Sequence, residues 1–313
     1  MVDADDCPSP ASAEPQPRTW YATNLVGIPA WVLGADDFNW HPQPLHIVGT
    51  REAHGGLFRL LDTCADAPQA AEVFMHYMNL VFGLQPPTEP ASPATSPGEA
   101  RRWRASYARL LMGWGGDSNS PAGAVLKGWV ESRFGLVPCH HKGLLGRFPS
   151  PAWVTYLEEK ATSRFHNNCI HQQLDLLYEF GQWVLRRFKP FGQAQRLTLW
   201  RGVQGLNRHQ MWPQSQAPRP QPATRTLAEV QDMLPLTTGP WRAGERRVVR
   251  FNNLLSFALD PLQAECFGDT VLKVQVPLVK LLYFPGLLPN VPLGGESEVL
   301  ALGGDMTVEV WRG

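Results

Sequence analysis

The sequence predicts an α+β protein with a mainly helical N-terminal half and a β-rich C-terminal half. Two observations carry this. Leu174, Leu177, Tyr178, Gly181, Val184, Leu185 and Phe188 recur at helical spacing in the middle of the chain. After Gly192 the texture changes to short alternating stretches, as in Arg196-Leu197-Thr198-Leu199-Trp200-Arg201-Gly202-Val203 and Arg247-Val248-Val249-Arg250-Phe251.

Taken in order, residues 1–18 are rich in Pro, Ala, Ser and acids and read as a disordered tail. Residues 19–192 form the mainly helical region. Within it, the Pro-rich stretch from Gln85 to Gly98 reads as a loop or linker. Ser150 is placed to cap a helix that starts at Pro151. Lys189-Pro190 stops the long helix before it. Residues 193–313 form the β-rich region, interrupted by a Pro-rich surface excursion from Pro213 to Thr226. Asp260-Pro261 starts a short helix that Gly268 can end. Val271 to Val276 alternates, Pro277 interrupts, and Lys280 to Phe284 is apolar again. Glu298 to Leu302 and Met306 to Trp311 read as two final strands, with Gly303-Gly304-Asp305 as the turn between them.

The whole chain bounds the function. Its 313 residues, 43% of them hydrophobic, can build a substantial core. Twelve Trp, several followed directly by Arg, suggest amphipathic surfaces as well. Lys plus Arg equals Asp plus Glu at 28 each, which argues against a nucleic-acid partner. Five scattered Cys with no C-x-x-C argue against a disulfide framework and fit a cytoplasmic protein. The acidic opening Met1-Val2-Asp3-Ala4-Asp5-Asp6 lacks the apolar core of a secretory signal, and no apolar run is long enough for a membrane span.

Three local features could carry chemistry. Gly294-Gly295-Glu296-Ser297-Glu298 places two carboxylates two residues apart at a strand entrance, which in a strand share one face about 6.5 to 7 Å apart. In Leu199-Trp200-Arg201-Gly202 an Arg leaves an apolar strand into glycine, where its fork can hold phosphate. In Phe251 to Ala258, Ser256 is a hydroxyl within an apolar strand and needs a partner. Alone, each has an ordinary explanation: a solvated strand end, an edge Arg, a Ser bonded to local backbone.

Their order is more specific. Arg201 on a first strand, Ser256 on a middle strand and the Glu296-x-Glu298 pair on a late strand resemble the pattern of the arginine-specific mono-ADP-ribosyltransferases of the R-S-E type. The strings Thr23–Pro29, Leu45–Glu52, Gly123–Leu136, Ser163–Asn168 and Gln173–Phe180 are similar to those of the NAD(+)–dinitrogen-reductase ADP-ribosyltransferases. This resemblance implies a C-terminal split β-sandwich of the ADP-ribosyltransferase type, with NAD as co-substrate. It implies that Glu298 is the catalytic carboxylate, acting through the ribose 2′-hydroxyl on the positive charge that develops as nicotinamide leaves. Glu296 would orient the acceptor guanidinium and take its proton, a task that guanidinium, almost never deprotonated in water, makes necessary. Arg201, with Gly202 beside it, would hold the NAD phosphates or adjacent ribose. Ser256 would position the nicotinamide ribose and hold Glu298. Phe267, in the loop from Asp260 to Asp269, would stack on nicotinamide, although it suits the core equally well. The segment Pro285 to Gly295 would meet the protein substrate through exposed Leu287, Leu288 and Val291. The resemblance names that substrate as the nitrogenase iron protein and a PII-type protein as a regulator.

Rival readings are a zinc site drawn from Cys139, His140, His141, His166, Cys169 and His171, an NAD glycohydrolase that transfers to water, and a non-catalytic scaffold that binds a partner. The zinc reading meets no standard ligand pattern, so no metal is expected. A dehydrogenase is disfavoured because no G-x-G-x-x-G joins a strand to a helix. His46, His54, His76 and Lys127 have no assignable role.

Overall fold

The computed structural model of the chain describes residues 24–84, 102–146, 148–206, 211–212, 242–289, 293 and 297–312. The tail expected at 1–18 and the Pro-rich stretches expected at 85–98 and 213–226 lie outside the described residues.

The first half is helical, as the sequence predicts. Its helices are α1 (Ala30–Leu33), α2 (Asp36–Trp40), α3 (Thr50–Ala53), α4 (Gly55–Leu61), α5 (Ala67–Phe82), α6 (Tyr107–Gly116), α7 (Pro121–Phe134), α8 (Pro151–Thr162) and α9 (Asn168–Arg187). Local chemistry sets their starts. Asp66, Ser106, Ser120, Ser150 and Asn167 each precede a helix and accept a first-turn backbone N–H. Pro151 follows the Ser150 cap, where its missing N–H costs nothing.

The helix α9 organises this half. From Gln173 to Leu185 it is buried on every side. Its buried polar residues are therefore all paired. Asp175 accepts Trp129 Nε1–H at 2.7 Å and the Arg133 fork at 2.8 and 3.0 Å. Glu179 accepts the Ile47 backbone N–H at 2.7 Å and is held by the side chains of Arg51 and His46. Gln173 Oε1 accepts the Tyr107 N–H at 2.9 Å, and Gln182 Nε2 donates to the carbonyls of Leu278 and Leu281. Around these, Phe180 stacks on Phe74 with ring centroids 4.2 Å apart.

The second half is one antiparallel sheet. Its strands are β1 (Arg196–Val203), β2 (Met211–Trp212), β3 (Arg246–Arg250), β4 (Leu254–Ala258), β5 (Thr270–Pro277), β6 (Leu281–Tyr283), β7 (Glu298–Leu302) and β8 (Asp305–Arg312). Their spatial order is β2-β3-β8-β5-β1-β4-β7-β6. A short helix α10 (Pro261–Ala264), capped by Asp260, and a 3-10 turn (Glu265–Phe267) link β4 to β5. The β1–β5 ladder runs the length of both strands, from Arg196 opposite Pro277 to Val203 opposite Thr270. By contrast, β1 and β4 pair only where Trp200 faces Ala258. The sheet is therefore continuous but nearly divided at that joint.

Two expectations are corrected. The turn Gly303-Gly304-Asp305 does not close a hairpin: β7 pairs with β4 and β6, whereas β8 pairs with β3 and β5. The link crosses the joint instead. Gly303 N–H donates to Asn253 O, Gly304 O accepts Phe251 N–H, and Asp305 N–H donates to Gly34 O. A Cβ on Gly303 would collide with Asn252 O, and one on Gly304 with Gly34, so this crossing needs bare backbone. Leu287 and Leu288 are not exposed, at 1% and 4%. Leu287 packs beside Gly181 of α9. Val291 lies outside the described residues.

A buried polar knot joins the two halves beside this crossing. Arg250 grips Asp305 through two hydrogen bonds of 2.7 and 2.8 Å. Asp36 of α2 accepts both the backbone N–H and the hydroxyl of Thr307. Lys280 is fully buried, donates to Gly303 O at 3.2 Å and lies 5.4 Å from the centre of the Phe38 ring. Burial pushes its ammonium down to about 7 from an ordinary 10.5, against the pull of Asp305 and Asp36. Between those two values the unfolded chain holds a proton that the folded chain has released. Stability is therefore expected to rise as pH climbs from about 7, by at most about 1.4 kcal/mol per pH unit. Thermal unfolding of the wild type and Lys280→Met across that range checks this: the variant's curve should be the flatter of the two.

Candidate active site

Strands β1, β4 and β7 lie side by side and carry Arg201, Ser256 and Glu298. Facing residues of an antiparallel pair project to the same side, as do residues two apart along a strand. Glu298 faces Ala258, and Ser256 lies two residues before Ala258. Ser256 and Glu298 therefore share one face, and both are half-buried.

Arg201 enters through the joint. It lies one residue beyond the Trp200–Ala258 pair, where β1 and β4 part. A continued ladder would set Gly202 opposite Ser256. Instead Arg201 Nη1 donates to the Ser256 carbonyl at 2.6 Å, replacing the ladder bond left unmade. Arg201 Nε is buried and has no hydrogen-bond partner among the described residues. A buried guanidinium N–H without a partner is a donor held ready for an acceptor-rich group. Burial draws the Arg201 guanidinium down to about 10, and the negative charge of Glu298 opposes that shift. Arg201 remains a cation at neutral pH.

The hydroxyl of Ser256 is held from the helical half. Trp114 of α6, itself buried, donates its indole N–H to Ser256 Oγ at 2.8 Å. Below the indole, 5.9 Å from the ring centre, is the ammonium of Lys127. Lys127 is buried and donates to Asn119 Oδ1, His140 O and His141 Nδ1 at 3.1–3.2 Å. Because an ammonium only donates, His141 Nδ1 accepts, and its Nε2–H donates to Glu159 at 2.8 Å. Burial lowers Lys127 to about 8. The approach to β4 is tied to the same helices: Asn253 Nδ2 donates to the carbonyls of Lys127 and Leu136, both at 2.9 Å.

Gly202 has a packing role. A Cβ there would collide with Ala264 O, and one on Gly268 would collide with the Val203 backbone. Two bare positions thus let the 261–268 segment lie directly on β1. That segment presents Phe267 at 71% exposure, which removes the core explanation for this ring. Gln263 Nε2 reaches Ser297 Oγ at 3.3 Å, bringing the segment next to the start of β7. Strand β7 begins at Glu298, and Glu296 lies outside the described residues.

The histidines and cysteines of the zinc reading fall elsewhere. His141 is committed to Lys127 and Glu159, and burial pushes the Cys139 thiol up to about 11. Among the described residues no three His, Cys, Asp or Glu side chains gather as metal ligands. Nor is any helix among them long and apolar enough to cross a membrane.

This geometry can be set beside known proteins. The sequence model of the dinitrogenase reductase ADP-ribosyltransferase family matches residues 23–222 and 229–310, spanning both the helical half and all three site strands. The chain belongs to this family. It is 44% identical over 296 residues to an NAD(+)–dinitrogen-reductase ADP-D-ribosyltransferase of Rhodospirillum rubrum, covering 95% of this chain and 97% of the relative. No solved structure matches the chain.

Sequence reasoning missed Trp114. Its signal is faint, a Trp in Leu110-Leu111-Met112-Gly113-Trp114-Gly115-Gly116 whose N–H must find an acceptor once buried. The structure gives two of the unassigned histidines a partner: His46 serves Glu179, and His54 Nδ1 lies 2.9 Å from Tyr77 OH. Gly202→Ala tests the packing of the site. Forcing a methyl between β1 and the 261–268 segment should cost about 1–3 kcal/mol and displace Phe267. Denaturant unfolding combined with NAD titration measures both effects.

Proposed function

We propose that this chain transfers ADP-ribose from NAD to an arginine of dinitrogenase reductase, the nitrogenase iron protein, and so switches off nitrogen fixation. The observation that carries this reading is the meeting of Arg201, Ser256 and Glu298 on the adjoining strands β1, β4 and β7. The printed name of the Rhodospirillum rubrum relative supplies the substrate pair, NAD and dinitrogen reductase. The near-division of the sheet at Trp200–Ala258 supports a split β-sandwich of the ADP-ribosyltransferase type, with residues 193–313 as the catalytic region.

In this mechanism the Nε–H of Arg201, unpartnered among the described residues, meets NAD at its phosphates or the adjacent ribose, with Gly202 keeping the 261–268 segment close. Ser256 holds the nicotinamide ribose. Exposed Phe267 covers the nicotinamide end. Glu298 faces the positive charge that develops at the ribosyl carbon as nicotinamide leaves, and a fixed carboxylate in a partly desolvated site stabilises it. Glu296, two residues earlier, orients the incoming guanidinium and accepts its proton. The reaction proceeds in the cytoplasm, and a PII-type protein regulates it.

Glu298→Gln should reduce nicotinamide release and label transfer to dinitrogenase reductase by about 10²- to 10³-fold. Equal transfer by variant and wild type would remove the mechanism. Glu296→Gln should lose label transfer while keeping most NAD hydrolysis, because water as acceptor needs no guanidinium base. If both activities fall together, the acceptor role of Glu296 is wrong and the glycohydrolase reading gains.

A further inference from the structure

Ser256 is fixed at two atoms by two different elements. Its carbonyl is taken by Arg201 of β1, and its hydroxyl oxygen accepts the indole N–H of Trp114 from α6. A serine hydroxyl has one proton and two lone pairs. With a lone pair committed to Trp114, the O–H is turned away from the indole and left to donate. Glu298 shares the face of Ser256, so the direction open to that proton is the one where a carboxylate and a ribose oxygen would compete for it. Trp114 is buried, and Lys127 lies against its ring, itself held by Asn119, His140 and His141.

We propose that Trp114 is a positioning residue for NAD: its N–H commits the Ser256 hydroxyl to the donor role and so aims it at the nicotinamide ribose. The helical half thereby contributes directly to the geometry of the site on the sheet. This inference rests on the reading of Ser256 as part of the NAD site.

The test is a double-mutant cycle on the full chain, with NAD and dinitrogenase reductase as substrates. Trp114→Phe keeps a buried ring and removes the donor, while Ser256→Ala removes the acceptor. Each single variant should raise KM for NAD, lowering kcat/KM about tenfold, the scale of one hydrogen bond to a bound substrate. The double variant should be no worse than Ser256→Ala alone, because Trp114 acts only through that hydroxyl. Should the smaller ring fail to fold, benzothienylalanine at position 114 retains the fused-ring shape and replaces N–H with sulfur, and it carries the same expectation. If KM for NAD is unchanged in the Trp114 variant while Ser256→Ala raises it, or if the two effects multiply, Trp114 is a packing residue and the inference falls. If Ser256→Ala itself has no effect, the NAD-site reading of Ser256 fails first and takes the inference with it.

Discussion

The site depends on one unfinished strand pairing. Strands β1 and β4 meet only at Trp200 and Ala258 and then separate. A sheet that ends a ladder in its interior leaves backbone groups without partners, and buried groups of that kind are costly. Arg201 resolves part of this by donating to the Ser256 carbonyl. Beside the same separation, Ser256 and Glu298 share one face of the sheet. The element that creates the site and the residue that repairs its cost are therefore neighbours on one strand.

The helical half is organised around two buried carboxylates on α9. Asp175 is met by Trp129 and Arg133 of α7, and Glu179 by Ile47, His46 and Arg51. Leaving either charge unpaired in the core would be strongly destabilising, so these partners fix where α7 and the 45–51 segment can sit. That placement propagates to the sheet. The helix α7 carries Lys127 beneath Trp114, and its backbone accepts Asn253 just before β4. The family-like strings around residues 45–52, 123–136 and 173–180 are thus bracing as much as chemistry.

Much of this was legible in the sequence, and the exceptions share a cause. Strands β1 and β7 lie where the sequence placed them, and the Ser150–Pro151 start follows from capping chemistry that acts within a few residues. Arg201, Ser256 and Glu298, singled out by their order along the chain, fall on three neighbouring strands. What periodicity could not supply was partnership over distance. A hairpin was the natural reading of Gly303-Gly304, yet Asn252 and Gly34 claim those glycines from more than fifty residues away. Leu287 and Leu288 were expected to be exposed, but both join the main core, with Leu287 against Gly181 of α9. Trp114 and Lys127 gained meaning only when α6 and α7 came to rest against β4.

The polar knot around Asp305 has a temporal side. Asp36 is bonded to Thr307, 271 residues further along the chain, and Gly34 to Asp305. A ribosome adding about 5–20 residues per second makes the first of these partners tens of seconds before the second. Throughout that interval α1 and α2 lack these contacts to Asp305 and Thr307. The earliest of the described helices to be synthesised are among the last to be secured.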